Sequence, residues 1–263
     1  MEKTLIQFFA FIILFLGIWF GLNQIDFMNF FKVEEKTSKI EKALGDFYMD
    51  IITDTDTEIT DTEIIDCIKE IKNRICNDNA IDTTKIKIHV VKSSEVNAFA
   101  LPDRHIVIHS ELISFCKNPE ELAGILSHEI AHIEKNHIMM KLGKELGFSA
   151  LSAMLSSGSG GAESLRLLTS TAYDRQMEEQ ADETGVAYLQ KSKINPAPLA
   201  DFMFRLSVEE SDIQKNLTLI STHPETEQRA RKILDLLPKE SIEYTPLLPD
   251  STWIQLQENI RLF

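Results

Sequence analysis

The residues His128-Glu129-Ile130-Ala131-His132 have the spacing H-E-x-x-H. On a helix, positions i and i+4 lie one turn apart on one face, so both imidazoles can converge on one metal ion. Neutral imidazole nitrogen binds zinc at about 2.0–2.1 Å. Glu129 would stand beside that metal. There it can take a proton from a water that zinc acidifies toward a pKa of about 7, and hand it to a leaving amine. Leu122, Ile125, Leu126, Ile130 and Ile133 flank the motif. That apolar stripe should bury the helix and turn the motif toward a cleft.

A catalytic zinc usually has three protein ligands and one open position. No further His follows a Gly after His132. His137, five residues on, is expected to point off the metal face as a surface histidine. The third ligand must come from elsewhere, and Glu178, Glu179, Asp182 and Glu183 are candidates. Glu178 and Asp182 share a helix face one turn apart. A natural division puts Glu178 on the metal and Asp182 on the far nitrogen of a ligating histidine. Spacing alone does not choose between Glu178 and Glu179.

Several elements must position these groups. Thr60 and Glu63 fit a capping box for a helix reaching about Cys76, with Ile64, Ile68, Ile71 and Ile75 on one side. Alternation predicts strands over 85–91 and 105–109, with a third over 97–102 ending at Pro102. Pro119, Glu120 and Glu121 open the helix that carries the motif and runs on through His137. A short apolar helix over 142–155, a Gly-Ser loop over 156–161 and one long helix over 162–190 follow. Asn195-Pro196 breaks the chain before a helix at Ala197. A helix after His223-Pro224 ends before Pro238, and a tail helix starts near Ser251.

Thr4 to Leu22 carries no charge. As a helix it spans roughly 28 Å, close to a bilayer core, and it ends without a small-residue cleavage site. One uncleaved transmembrane anchor is expected, with residues 27–50 as an amphipathic linker or first helix. The net charge of −14 excludes nucleic acid as the main partner. The three cysteines, Cys67, Cys76 and Cys116, make no C-x-x-C pair and read as free buried thiols. The acidic run Asp54 to Glu63 lacks the central Gly of a calcium loop and reads as a solvated turn.

Four motifs in order give a resemblance over roughly residues 80 to 237. They are Asn97-Ala98-Phe99-Ala100-Leu101-Pro102, HEIAH, Arg175-x-x-Glu178-x-x-Ala181-Asp182, and His223-Pro224 with Arg229. The chain resembles peptidase family M48, the metallopeptidases that include the CAAX prenyl endopeptidases. The resemblance implies a gluzincin with one zinc ion on His128, His132 and Glu178, and Glu129 as base. It implies that Arg175, Asp182 and Arg229 support the site, and that Asn97, Ala98, Phe99 and Ala100 bind substrate backbone as an edge strand. His223 would donate to the oxyanion, cap the zinc in a resting state, or simply open its helix. Where the family often has two glycines after the strand proline, this chain has Asp103 and Arg104.

The expected fold is α+β: a mainly helical gluzincin-type domain with a small antiparallel sheet, after one transmembrane helix. The expected organisation is an anchor over 1–25, a helical lead-in over 26–80, a metallopeptidase domain over 81–240 and a tail helix over 241–263. The expected function is a membrane-anchored zinc endopeptidase acting on protein or peptide substrates in envelope quality control. The alternative is a latent, chaperone-like zinc-binding protein. Lysines Lys32, Lys36 and Lys39 after the span favour a cytoplasmic body, whereas the resemblance favours a periplasmic or extracytoplasmic one.

Overall fold

The computed structural model describes residues 33–209, 217–238 and 242–263. The expected span over residues 4–22 lies outside them. Within the described residues no helix is long and apolar enough to cross a membrane. The chain divides into two units, residues 1–41 and 42–263. Of the first, only the opening turns of helix α1 (Val33–Thr55) are described. The second holds everything that follows.

Helix α2 (Thr62–Asp78) buries Ile64, Ile68, Ile71 and Ile75. Its cap is Asp61 rather than Thr60, and the Asp61 carboxylate accepts from the amides of Glu63 and Ile64. Strands β1 (Lys87–Val91), β2 (Ala98–Leu101) and β3 (His105–His109) form one sheet in the order β1-β3-β2. The sheet is mixed, not antiparallel. β2 and β3 are antiparallel, but β1 and β3 run parallel, with Lys87 opposite His105. Strand pairing is set by the path of the chain between strands, which alternation within each strand does not encode.

Between β2 and β3, Pro102–Arg104 forms a tight turn with Asp103 at φ 58° and Arg104 at φ 62°. The left-handed conformation that glycine takes easily is thus held by two residues with side chains. Asp103 is tied to Lys87, and Arg104 to Glu134, by ion pairs across the turn.

Helices α3 (Ser110–Phe115) and α4 (Pro119–Glu134) follow, then α5 (His137–Glu145), α6 (Phe148–Ser157), α7 (Gly161–Ser170) and α8 (Arg175–Lys191). Two expected helices are each split. Gly147, at φ 79°, separates α5 from α6. The chain between α7 and α8 is extended, because the Tyr173 amide leaves the helix pattern to donate to Thr222 O. Helices α9 (Ala197–Glu209), α10 (Thr218–Thr222), α11 (Thr226–Asp235) and α12 (Asp250–Arg261) complete the unit. All three cysteines are free, with Cys76 and Cys116 buried and Cys67 half-buried.

Helix α4 is the centre, packed on α8, α9, α2 and β2. Two glycines permit the approach. A Cβ on Gly124 would sit 2.7 Å from Leu199 Cβ of α9, and one on Gly185 of α8 would sit 3.2 Å from the His128 amide.

Lys87, His89 and His105 share one face of the sheet. There Glu58 Oε1 meets His89 Nδ1 (2.8 Å), His89 Nε2 meets His105 Nδ1 (2.9 Å), and His105 Nε2 meets Lys87 Nζ (3.1 Å). Burial, together with the charges of Lys87 and His89, pushes the His105 imidazole down to about 4. The unfolded ring titrates near about 6.5, so the unfolded chain binds the proton more tightly. The stability contributed by neutral His105 is complete above that value and is lost as pH falls toward 4. The melting temperature should therefore fall across this interval, with a shallower slope in His105→Gln, as followed by circular dichroism.

Candidate metal centre

Helix α4 presents His128 and His132 one turn apart, with Nε2 atoms 3.0 Å from each other. Helix α8 supplies Glu178, whose Oε1 is 3.5 Å from His132 Nε2. The turn after α10 supplies His223, whose Nδ1 is 3.3 Å from His128 Nε2 and 2.9 Å from Glu178 Oε1. All four side chains are buried. They form a group that could hold a metal ion. Four donors on a tetrahedron with bonds of about 2.0–2.1 Å would be roughly 3.3 Å apart. The four distances above bracket that value.

Glu129 is fully buried, and its Oε2 accepts from the Ala100 amide at 2.9 Å. Burial pushes its carboxyl above the usual range. Its other oxygen, Oε1, lies 3.5 Å from His223 Nε2. Glu129 Oε1 and His223 Nε2 are buried without a hydrogen-bond partner. Such atoms are costly in an interior unless something else satisfies them. This is the donor chemistry and the want of partners that a cation site presents.

A second ring of residues orients the first. Asp182 Oδ1 lies 3.0 Å from His128 Nδ1. The Arg229 guanidinium makes a forked pair with Asp182 (2.8 and 2.7 Å), and its Nη1 lies 2.6 Å from Glu178 Oε2. Burial alone would raise the Glu178 carboxyl; His223 and Arg229 outweigh it and hold Glu178 well below the usual range. Glu179 faces solvent and pairs with Lys232, and Glu183 is exposed. Arg175, expected behind the site, is on the surface instead. It bonds Glu225 and Gln228 beside the His223 turn.

β2 is an edge strand alongside α4. The His109 amide donates to Asn97 O. By the alternation of an antiparallel pair, Asn97, Phe99 and Leu101 bond toward β3, whereas Ala98 and Ala100 aim their backbone groups outward. Asn97 is buried with its side-chain oxygen unpartnered, and the Phe99 ring meets His109 edge-on. Beside Glu129, His128 and His223 is a pocket walled by Ile125, Leu199, Phe202, Met203, Leu206 and Leu219, with about 20 Å³ open.

A family model for peptidase family M48 matches residues 65–237. The chain belongs to peptidase family M48. Among its M48 relatives, a beta-barrel assembly-enhancing protease of Yersinia pestis is 27% identical over 72% of this chain and 42% of its own length. A mitochondrial metalloendopeptidase of Schizosaccharomyces pombe is 26% identical over 72% of this chain and 58% of its own. Metalloprotease YcaL of Escherichia coli is 25% identical over 60% of this chain and 64% of its own. The chain thus spans less than two thirds of the length of these relatives.

Three residues of this M48 site escaped the sequence reading. His137 is not on the surface: it is 1% exposed, with Nδ1 3.0 Å from His132 Nδ1. Tyr173 lays its ring against those of His132 and His223, at 4.1 and 5.5 Å between centroids. Lys141 is buried, with Nζ 4.2 Å from the Tyr173 centroid and bonded to the Leu168 and Thr171 carbonyls. Burial lowers that ammonium to about 8. Lys141 carried a signal that could have found it, a lone charge on the buried face of an apolar helix. Tyr173 carried none, since its place depends on the break before α8.

Removing Arg229 leaves the Asp182 and Glu178 carboxylates buried without their cation. Arg229→Met should cost about 3–5 kcal/mol in the metal-free protein, measured by urea unfolding. The deficit should shrink when a divalent metal is added.

Proposed function

We propose that this chain is a zinc endopeptidase, with His128, His132 and Glu178 holding one zinc ion and Glu129 acting as general base. The observation that carries the reading is the buried cluster of His128, His132, Glu178 and His223, whose donor atoms all lie within 4.8 Å of one another, with the Glu129 carboxylate beside it. Bound there, zinc supplies a Lewis acid that polarises the scissile carbonyl and acidifies water.

The chain's own residues do the rest. The outward backbone groups of Ala98 and the Ala100 carbonyl receive an extended peptide as an added strand, while the Ala100 amide stays with Glu129. The apolar pocket takes a side chain next to the scissile bond. Its flexible Met203 gives way as the side chain enters. Glu129 takes a proton from the attacking water and delivers it to the leaving nitrogen. Asp182 fixes the His128 ring through its far nitrogen, and Arg229 fixes Asp182. With Glu178 engaged on the metal, His223 carries its proton on Nε2, which faces Glu129, and donates a hydrogen bond to the oxygen that gains charge.

The contact of His223 Nδ1 with Glu178 and His128 favours a second reading, a latent state in which His223 completes the metal shell. The apolar run over residues 4–22 supports a single-pass membrane anchor. The relatives' names, a protease and a metalloendopeptidase, support protein substrates, and the beta-barrel assembly named in one of them fits a role in envelope quality control.

Glu129→Gln should keep zinc and lose at least about 100-fold in kcat on an unfolded protein substrate. A chelator should abolish wild-type cleavage, and added zinc should restore it. Cleavage by Glu129→Gln at the wild-type rate would sink the mechanism. Wild-type protein that binds zinc yet never cleaves would favour the latent reading. Carbonate extraction of membranes from expressing cells tests the anchor: release of the full chain into the supernatant would exclude it.

A further inference from the structure

His132 turns Nε2 toward the other metal donors, 3.0 Å from His128 Nε2. Its Nδ1 points the opposite way, to His137 Nδ1 at 3.0 Å. His137 Nε2 in turn lies 3.1 Å from Gln180 Oε1 on α8. Two ring nitrogens in contact need one proton between them, and the ends of the chain decide which carries it. Gln180 Oε1 only accepts, so His137 Nε2 carries its proton. A neutral imidazole has one N–H, which leaves His137 Nδ1 with a lone pair. His132 Nδ1 is then the donor and His132 Nε2 is left bare, against the competing pull of the Glu178 carboxylate 3.5 Å from that nitrogen.

We infer that His137, oriented by Gln180, is a positioning residue that holds His132 in the tautomer able to bind metal. The consequence for zinc rests on the function proposed above; the tautomer does not.

The backbone brings this about by ending α4 early. Asn136 adopts φ 58°, ψ 27°, a left-handed conformation that asparagine tolerates. The chain turns there, and α5 starts at His137 with its side chain folded back under His132. A continued helix would have carried it away. His132 is fully buried and His137 nearly so. The Tyr173 ring lies against His132. The two ligands of α4 are therefore oriented by unlike acceptors: an anion, Asp182, for His128, and a neutral ring for His132.

Long-range 1H–15N spectra of the labelled wild-type protein at pH 8, metal-free and with zinc, report the tautomers directly. His137 should be protonated on Nε2 and bare on Nδ1 in both. Protonation on Nδ1 overturns the inference, with no variant needed. Competition with a chelator then measures zinc affinity. His137→Leu, which removes the acceptor, should bind zinc about 10–100-fold more weakly. His137→Gln, which keeps a side-chain carbonyl, should stay within several-fold of wild type. Melting curves of the metal-free variants confirm that each is folded. Leucine binding as tightly as wild type would overturn the positioning role. If the wild type itself bound no zinc, the proposed function would fall while the tautomer result stood.

Discussion

Three carboxylates, Glu129, Glu178 and Asp182, lie buried within one small volume, and Arg229, bonded to Glu178 and Asp182, is the one permanent cation paired within the group among the described residues. Buried charge of one sign is among the most expensive things a fold can hold. The cluster can exist only if the surrounding elements deliver compensating groups with accuracy. Helix α11 delivers Arg229, the turn before it delivers His223, and α4 delivers two imidazoles. The excess of negative charge that remains is what a divalent cation would neutralise. The architecture is largely an arrangement for bringing α4, α8 and the His223 turn to one point.

That requirement explains the close packing around α4. Gly185 lets α8 approach the backbone at His128, and Gly124 lets α9 approach from another side. A side chain at Gly185 would push Glu178 and Asp182 away from the histidines together, because both ride on the same helix. Lys141 and Tyr173 fill the side of the centre that α8 leaves open. Lys141 is held by carbonyls at the end of α7 and by the ring. Its lost hydration is offset there without adding a counter-charge to a region already rich in carboxylates.

What the sequence made legible follows from range. His128, Glu129 and His132 are four residues apart on one helix, and helical geometry alone brings them together. The apolar faces of α2 and α4 follow from periodicity. Glu178 and Glu179 are adjacent in sequence, but one is buried and one pairs with Lys232 in solvent. Only the packing of α8 on α4 separates them. His137 was misplaced because a single left-handed residue, Asn136, redirects the chain. The break before α8 was missed because the Tyr173 amide satisfies Thr222, a partner far away in sequence. The parallel pairing of β1 with β3 was missed for a similar reason.

The hydrogen bond from Ala100 to Glu129 joins two tasks that enzymes commonly keep apart. In the proposed reading, the edge strand that receives a peptide also aims the carboxylate that acts on it. A peptide that lies flat along β2 would leave that amide, and so Glu129, undisturbed. One that tugs the strand out of register would swing the carboxylate aside while still bound. On that reading, such a coupling would test a polypeptide for local extension after capture, so that discrimination would be expressed in turnover more than in affinity. Folded segments would then be held and released intact, and unravelled ones cut.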